Sequence, residues 1–180
     1  ILETLRQPME DGQVTIVRAN GRVTFPSRFM LVAAMNPCPC GYFTDSQRKC
    51  RCSQHQIETY TSRLSGPLVD RIDMHVEVPA VPFVELRSQR DGIDSGALRA
   101  QVLQARERQN RRFRSHAILN AHMSARQVKH HCKLDVAGEG LLKQAINEMG
   151  LSARAHDKIL RVARTIADLE GAEGIAVEHL

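Results

Sequence analysis

No apolar run in these 180 residues is long enough to cross a bilayer. The longest uncharged apolar run, Phe29 to Pro37, falls far short of the roughly 20 residues a spanning helix needs. No basic-then-apolar leader precedes it, so a cytoplasmic protein is expected. The cysteines number five, an odd count, and four of them are clustered; this argues against a secreted disulfide framework and for a metal site or a reducing compartment. Internal repeats and low-complexity segments are lacking. So is any G-x-x-x-x-G-K-[ST] loop, and no apolar strand ends in Asp-Glu. The phosphate cradle and acidic magnesium ligands of P-loop enzymes are therefore absent from these residues, and this polypeptide alone is not expected to hydrolyse ATP. The chain also opens inside a helical pattern, Ile1 to Arg6, with no Met and no cap, and is expected to be a piece of something longer.

What is present fits an α/β protein with one ordinary core and a small second domain, 42% apolar and 25% charged. Net charge is +5, with basic residues bunched over Arg99–Arg114 and Arg154–Arg164, a mild signal for a polyanionic partner. Asn20-Gly21 between the β-branched runs Val14–Arg18 and Arg22–Phe25 predicts a hairpin with its tip near Ala19 to Arg22, because both turn residues would accept positive φ. Phe29 to Ala34 reads as a buried strand, its continuous apolar character suggesting a sheet covered on both faces. Asn36 and Pro37 end it, where open α/β sheets place ligand contacts. Gln54–Leu64 reads as a helix leading to Ser65-Gly66-Pro67, and Met74–Val78 as a strand closed by Pro79 and Pro82. Asp91–Gly96 is a polar linker, after which the pattern is helical to the end, with Ser95 and Ser124 as caps, Ser152 heading another helix, and Leu151, Ala155, Ile159, Val162, Ala163 and Ile166 in helical spacing.

Cys38-x-Cys40 and Cys50-x-Cys52, nine residues apart, offer four thiolates to one tetrahedral ion, with zinc the default for a closed set of four cysteines. The one-residue gap within each pair is tighter than the usual two. Arg48, Lys49 and Arg51 would lower the thiol pKa values. His55 in place of one ligand, and a redox-sensitive thiol cluster without metal, stand as alternatives. Cys132, beside His130 and His131, shares a helix face with Val128 and reads as a buried small apolar side chain, with a His-His-Cys metal site as the weaker option.

Four segments together carry a family resemblance: Leu5–Gly12, Ala33–Gly41 (AAMNPCPCG), Ser65–Asp73 (SGPLVDRID), and Leu151–Arg154 with Val162–Leu169. They resemble the magnesium-chelatase-like AAA+ ATPases of the YifB and competence-protein group, over nearly the whole chain. The resemblance implies the carboxy-terminal half of an AAA+ core over residues 1–90, a linker and basic helix over 91–121, and an all-helical lid over 122–180. The phosphate loop and acidic strand end would lie upstream of Ile1. Asn36 would be the sensor that orients the water attacking ATP, its amide supplying both donor and acceptor. Arg71 would be the arginine finger that enters a neighbouring subunit's site, which implies a ring, expected to be a hexamer. A plain ion pair with Asp70 or Asp73 is its alternative. Arg154, in the first turn of a helix, would be the second sensor, in the lid; Arg161 and Arg164 would make solvent or carboxylate contacts.

The hairpin would be the pre-sensor hairpin, with Arg18 and Arg22 contacting nucleic-acid phosphates in sequence-blind fashion. ATP and Mg2+ are the implied cofactors, and DNA the expected partner, in helicase or branch-migration work. A chelatase-type subunit driving metal insertion through a partner, and a zinc-stabilised nucleic-acid-binding module, are the other readings. The Cys pairs and the arginines of the basic helix, Arg106, Arg108, Arg111, Arg112 and Arg114, favour the first. The motor reading depends on Arg71 and Arg154 reaching one nucleotide's outer phosphate; either guanidinium locked inside its own domain by internal acids, unable to face a shared cleft beside Asn36, would overturn it.

Overall fold

Gly12 stops the first helix. A 3-10 turn, Leu2–Leu5, runs into α1 (Arg6–Asp11), and Gly12, in the left-handed region at φ 64, bonds its N–H to the Pro8 carbonyl. The computed structural model describes residues 2–45, 47–79, 81, 87 and 92–180. They divide into two compact units, Ile1–Arg87 and Ser88–Leu180. Pro82 and the linker residue Asp91 lie outside the described residues, as does Ile1.

In the first unit, β1 (Gln13–Arg18) and β2 (Gly21–Pro26) pair antiparallel in the register Arg18↔Gly21, Val17↔Arg22, Thr15↔Thr24. The loop is Ala19-Asn20 rather than Asn20-Gly21. Neither loop residue has positive φ, and the unusual backbone falls to Gly21 at φ 151, the first residue of β2. Opposed residues share a face, so one side carries Gln13, Thr15, Val17, Arg22, Thr24 and Pro26, with the two threonine hydroxyls 3.0 Å apart. The other carries Val14, Ile16, Arg18, Val23 and Phe25.

Two expected strands do not form. Phe29–Ala34 and Met74–Val78 have no regular secondary structure, and Met30, Val32, Val76 and Val78 are almost fully exposed. A buried strand needs a ladder neighbour on each side, and among the described residues the hairpin is the whole sheet. Apolar composition alone supplies no such neighbour. Helix α2 (Gln54–Thr61) does form over the expected segment, closed by a Ser53–Gln56 capping box. The short α3 (Gly66–Val69) is capped by Ser65, with Pro67 in its first turn.

The second unit is all helical among the described residues. Helix α4 (Ser95–Phe113) is capped by Asp94, not Ser95; the Asp94 carboxylate accepts from the N–H groups of Gly96 and Ala97. Helices α5 (Ala125–His131), α6 (Val136–Met149) and α7 (Ala153–Glu170) start at Ser124, Asp135 and Ser152. Met123, Val128, Cys132, Leu142, Leu160, Ala163 and Ile175 form the core. On α7 the deeply buried positions are Leu160, Ala163, Arg164, Ala167 and Asp168; of the stripe expected from spacing, only Ala163 is among them, the rest being half-buried.

The displacement has a polar cause. Asp168, fully buried, receives paired hydrogen bonds from Arg112 (2.5 and 2.7 Å) and one from the Asn120 amide (2.8 Å), with Arg164 at 3.1 Å. Arg108 donates to the Asp168 carbonyl, tying α4 to α7 a second time. Burial alone would raise the Asp168 pKa, but hydrogen bonds from Arg112 and Asn120 with the two guanidinium charges overrule it, and the pKa is lowered. Removing one partner of such a network leaves buried charge uncompensated, so Asp168→Ala is expected to cost about 3–5 kcal/mol, measured by urea unfolding. Because the folded-state pKa lies below the unfolded value, the wild-type contribution is present above the ordinary aspartate range, near 3.9, and is lost as pH falls through the folded value. The acid-side loss of stability should be smaller in the variant.

Candidate metal centre and nucleotide-facing residues

The Cys38–Ser53 loop has almost no apolar interior of its own among the described residues, of which Cys38 is the one with a fully buried side chain. Two devices shape it. Gly41, at φ 84, closes a turn by donating its N–H to the Cys38 carbonyl (3.0 Å). Asp45 accepts from the N–H groups of Gln47 and Arg48. The result brings the sulfurs of Cys38, Cys40, Cys50 and Cys52 within 4.8 Å of one another, all as free thiols. Cys38 and Cys40 are 3.3 Å apart, Cys38 and Cys50 3.7 Å, Cys40 and Cys50 3.6 Å. Four sulfurs around a zinc ion at about 2.3 Å would be separated by roughly 3.8 Å, so the donor set fits a tetrahedral ion with little adjustment. His55 is not one of the converging donors.

The thiols are not equivalent. Cys40 is lowered to about 6, chiefly by the backbone N–H groups of Arg51 and Tyr42 and by the Cys38 thiol. Backbone donors, not the neighbouring basic side chains, thus lead the activation expected from Arg48, Lys49 and Arg51. Arg48 instead bonds the Tyr42 hydroxyl at 2.8 Å. Cys52 is raised to about 12, by burial first and then by the hydrogen bond its protonated thiol donates to the Cys40 sulfur, which outweigh the opposing bond from the Cys40 backbone N–H. Cys132 is buried, pushed up to about 11 by desolvation, and packed in the second unit's core. No metal cluster involves it among the described residues; His131 instead meets the Phe113 ring edge-on. Alkylation of metal-free native protein should therefore reach Cys40 first and Cys132 only on unfolding, read by peptide mass mapping over time.

Asn36 is exposed, two residues before Cys38, and its amide lies 3.9 Å from where a side chain on Gly41 would begin. The sensor candidate thus sits against the turn that opens the cysteine loop. Arg71 is 11% exposed at its side chain, donates to the Pro67 carbonyl at 2.5 Å, and pairs with Glu10, itself 45% exposed. This ion-pair partner, Glu10, comes from α1 of the same unit. Arg154 is exposed in the first turn of α7, which the Ser152 hydroxyl caps by accepting from Ala155 N–H at 3.2 Å.

Arg18 and Arg22 are both exposed but on opposite faces of the hairpin, Arg22 among threonines and Arg18 at the end of the apolar side. The basic helix is half committed: Arg108 and Arg112 turn inward to α7 and Arg111 pairs with Glu107, leaving Arg106 and Arg114 outward. Arg161 donates to the Met123 carbonyl, while Arg164 bonds the Ala172 and Glu173 carbonyls and pairs with Asp168. Sequence reasoning missed Asp168, Asn120 and Glu10. The only signal for Asp168 was its place four residues after Arg164 and one after Ala167.

Residues 1–86 match the family model for the magnesium chelatase subunit ChlI, and residues 92–180 match that for its carboxy-terminal region. The chain belongs to the magnesium-chelatase-like family. It is 44% identical over 181 residues to the competence protein ComM of Haemophilus influenzae, covering 100% of the chain and 35% of that protein. The YifB proteins of Salmonella typhimurium and Escherichia coli are 39% and 38% identical over 180 residues, with 99% of the chain and 35% of each relative covered. The chain therefore spans about a third of the length of these family members. No helix among the described residues is long and apolar enough to cross a membrane.

Proposed function

We propose that this chain is the carboxy-terminal portion of a ring-forming AAA+ ATPase that remodels DNA, in helicase or branch-migration work. The observation that carries the reading is the 44% identity to a protein named for competence along the whole chain, joined to the order of Asn36, Arg71 and Arg154 along it. ATP and Mg2+ would be bound chiefly by residues outside these 180. Within the chain, the exposed Asn36 amide would orient water, having both donor and acceptor. Arg71 would exchange the Glu10 carboxylate for a neighbouring subunit's phosphate, and the guanidinium's planar fork suits both partners. Arg154, on the lid, would read the same phosphate, and a finger acting in trans makes an oligomer, a hexamer in our reading, necessary. Zinc would be held by Cys38, Cys40, Cys50 and Cys52 as a closed, structural site, and Arg18 and Arg22 would touch DNA phosphates.

The family model's own description, a magnesium chelatase subunit, favours one second reading, ATP-driven metal insertion through a partner protein. ATP turnover of the full-length protein with and without forked DNA separates the two. Stimulation by DNA supports the remodelling motor; turnover indifferent to DNA removes it.

A further inference from the structure

The second unit carries a cationic face that none of the roles above employs. Helix α5 buries Val128, and Cys132 just beyond its end is also in the core. Helical spacing places Arg126, Lys129 and His130 on the outer side, with Lys133 following, and all four are exposed. Arg126, Gln127, Lys129, His130, His131 and Lys133 wall a hollow of about 550 Å³ that no acidic residue lines. Lys129 and Lys133 also edge a neighbouring groove of about 700 Å³, to which Lys143 adds a further cation. That groove's acids are Glu139 and Asp157, and Asp157 is engaged by His156 at 3.0 Å.

Arg126, Lys129 and Lys133 form no ion pair among the described residues. This contrasts with Arg108, Arg112, Arg161 and Arg164, each of which is bonded to an internal carboxylate or carbonyl. The arginine-rich helix thus spends much of its charge inside the fold, whereas the shorter α5 keeps its own in solvent.

We infer that this α5 face is a binding surface for the phosphodiester backbone of nucleic acid, contacted without regard to base sequence. The inference rests on the nucleic-acid part of the reading above. Within α5 Arg126 and Lys129 are about 4.5 Å apart along the axis, at about 1.5 Å rise per residue, and Lys133, two residues past the helix end, lines the same hollow. One strand of a duplex advances about 3.4 Å per phosphate, so Arg126 and Lys129 are spaced to meet neighbouring phosphates and Lys133 offers a third contact. Arg126 can grip two phosphate oxygens at once, and the lysines act as point charges. No apolar residue walls the acid-free hollow; apolar residues such as Leu134, Leu142 and Ile146 line only the neighbouring groove, where Glu139 and Asp157 oppose an acidic helix, and this favours a nucleic-acid backbone over an acidic protein helix.

The test is duplex-DNA binding by the purified protein over a salt series, comparing wild type with the triple variant Arg126→Gln, Lys129→Gln, Lys133→Gln. The variant is expected to bind about 10- to 100-fold more weakly near 0.1 M salt, with the slope of log K against log salt shallower by about 2 to 3, since each lost phosphate contact removes roughly 0.9. Lys129→Arg with Lys133→Arg should restore slope and affinity, and all variants should melt as wild type because the changed side chains are exposed. A wild-type slope in the folded triple variant overturns the surface and leaves the motor reading standing. Wild-type protein that binds no DNA overturns both. Polyglutamate competing as well as DNA at equal charge overturns the nucleic-acid assignment in favour of an acidic protein partner.

Discussion

Arg71→Ala in the full-length protein is expected to lower ATP turnover by about 10³-fold, the smaller end of what arginine fingers supply in P-loop enzymes, or about 4 kcal/mol of transition-state stabilisation. The pairing of Arg71 with Glu10 makes the control as informative as the variant. If Arg71 serves only to anchor α1, then Glu10→Gln and Arg71→Ala break the same ion pair and should reduce turnover alike. If the guanidinium leaves Glu10 for a phosphate, Glu10→Gln removes a competitor for it and turnover should be kept or raised. Steady-state hydrolysis with and without DNA, with oligomeric state checked for each protein, distinguishes these results. Equal loss in both variants, or unchanged turnover in Arg71→Ala, removes the finger assignment.

The second large effect concerns the cysteine loop. One zinc per chain is expected by elemental analysis of purified protein, lost in Cys40→Ser and in Cys50→Ser. Structural zinc carries an apparent binding free energy on the order of 10 kcal/mol in small domains, and here the loop it would hold has little else. Among the described residues of the first unit the buried side chains are Pro8, Cys38, Ile57 and Leu68, against fourteen in the second unit. Chelation should therefore lower the melting temperature of the first unit sharply and leave the second unit's transition in place. Because Asn36 lies against Gly41 in the same turn, metal loss should also disturb the sensor position. Metal-free protein with an unchanged melting curve disposes of the zinc site.

The hairpin shows how sequence and structure divide the work. Alternating β-branched residues around Asn20-Gly21 placed it correctly, since pattern and turn chemistry are local. Which pair formed the loop was not local: with Ala19 and Asn20 in the turn and Gly21 opposite Arg18, the register put Arg18 and Arg22 on opposite faces. Two arginines that looked equivalent by spacing therefore meet different surroundings. Caps were equally legible at Ser124 and Ser152, because a side-chain oxygen three residues before an unpaired N–H acts over one turn. Asp94 took the place of Ser95 by the same rule, shifted by one residue.

What the chain determined by itself is short-range: its hairpin, its capped helices, the four cysteines at a spacing one ion can bridge, and the motifs that mark its family. Only the tertiary structure decided which charges are spent and which remain available. Arg112 and Arg164 are drawn inside because Asp168, fully buried on α7, must be neutralised by cations from α4 and from its own helix; Arg71 is taken by Glu10, 61 residues earlier. Arg126, Lys129 and Lys133 stay in solvent because the opposite side of α5 is the one the core accepts. Partners so distant in sequence leave no periodic trace along it, since a buried charge is set by whatever the fold brings within hydrogen-bond reach.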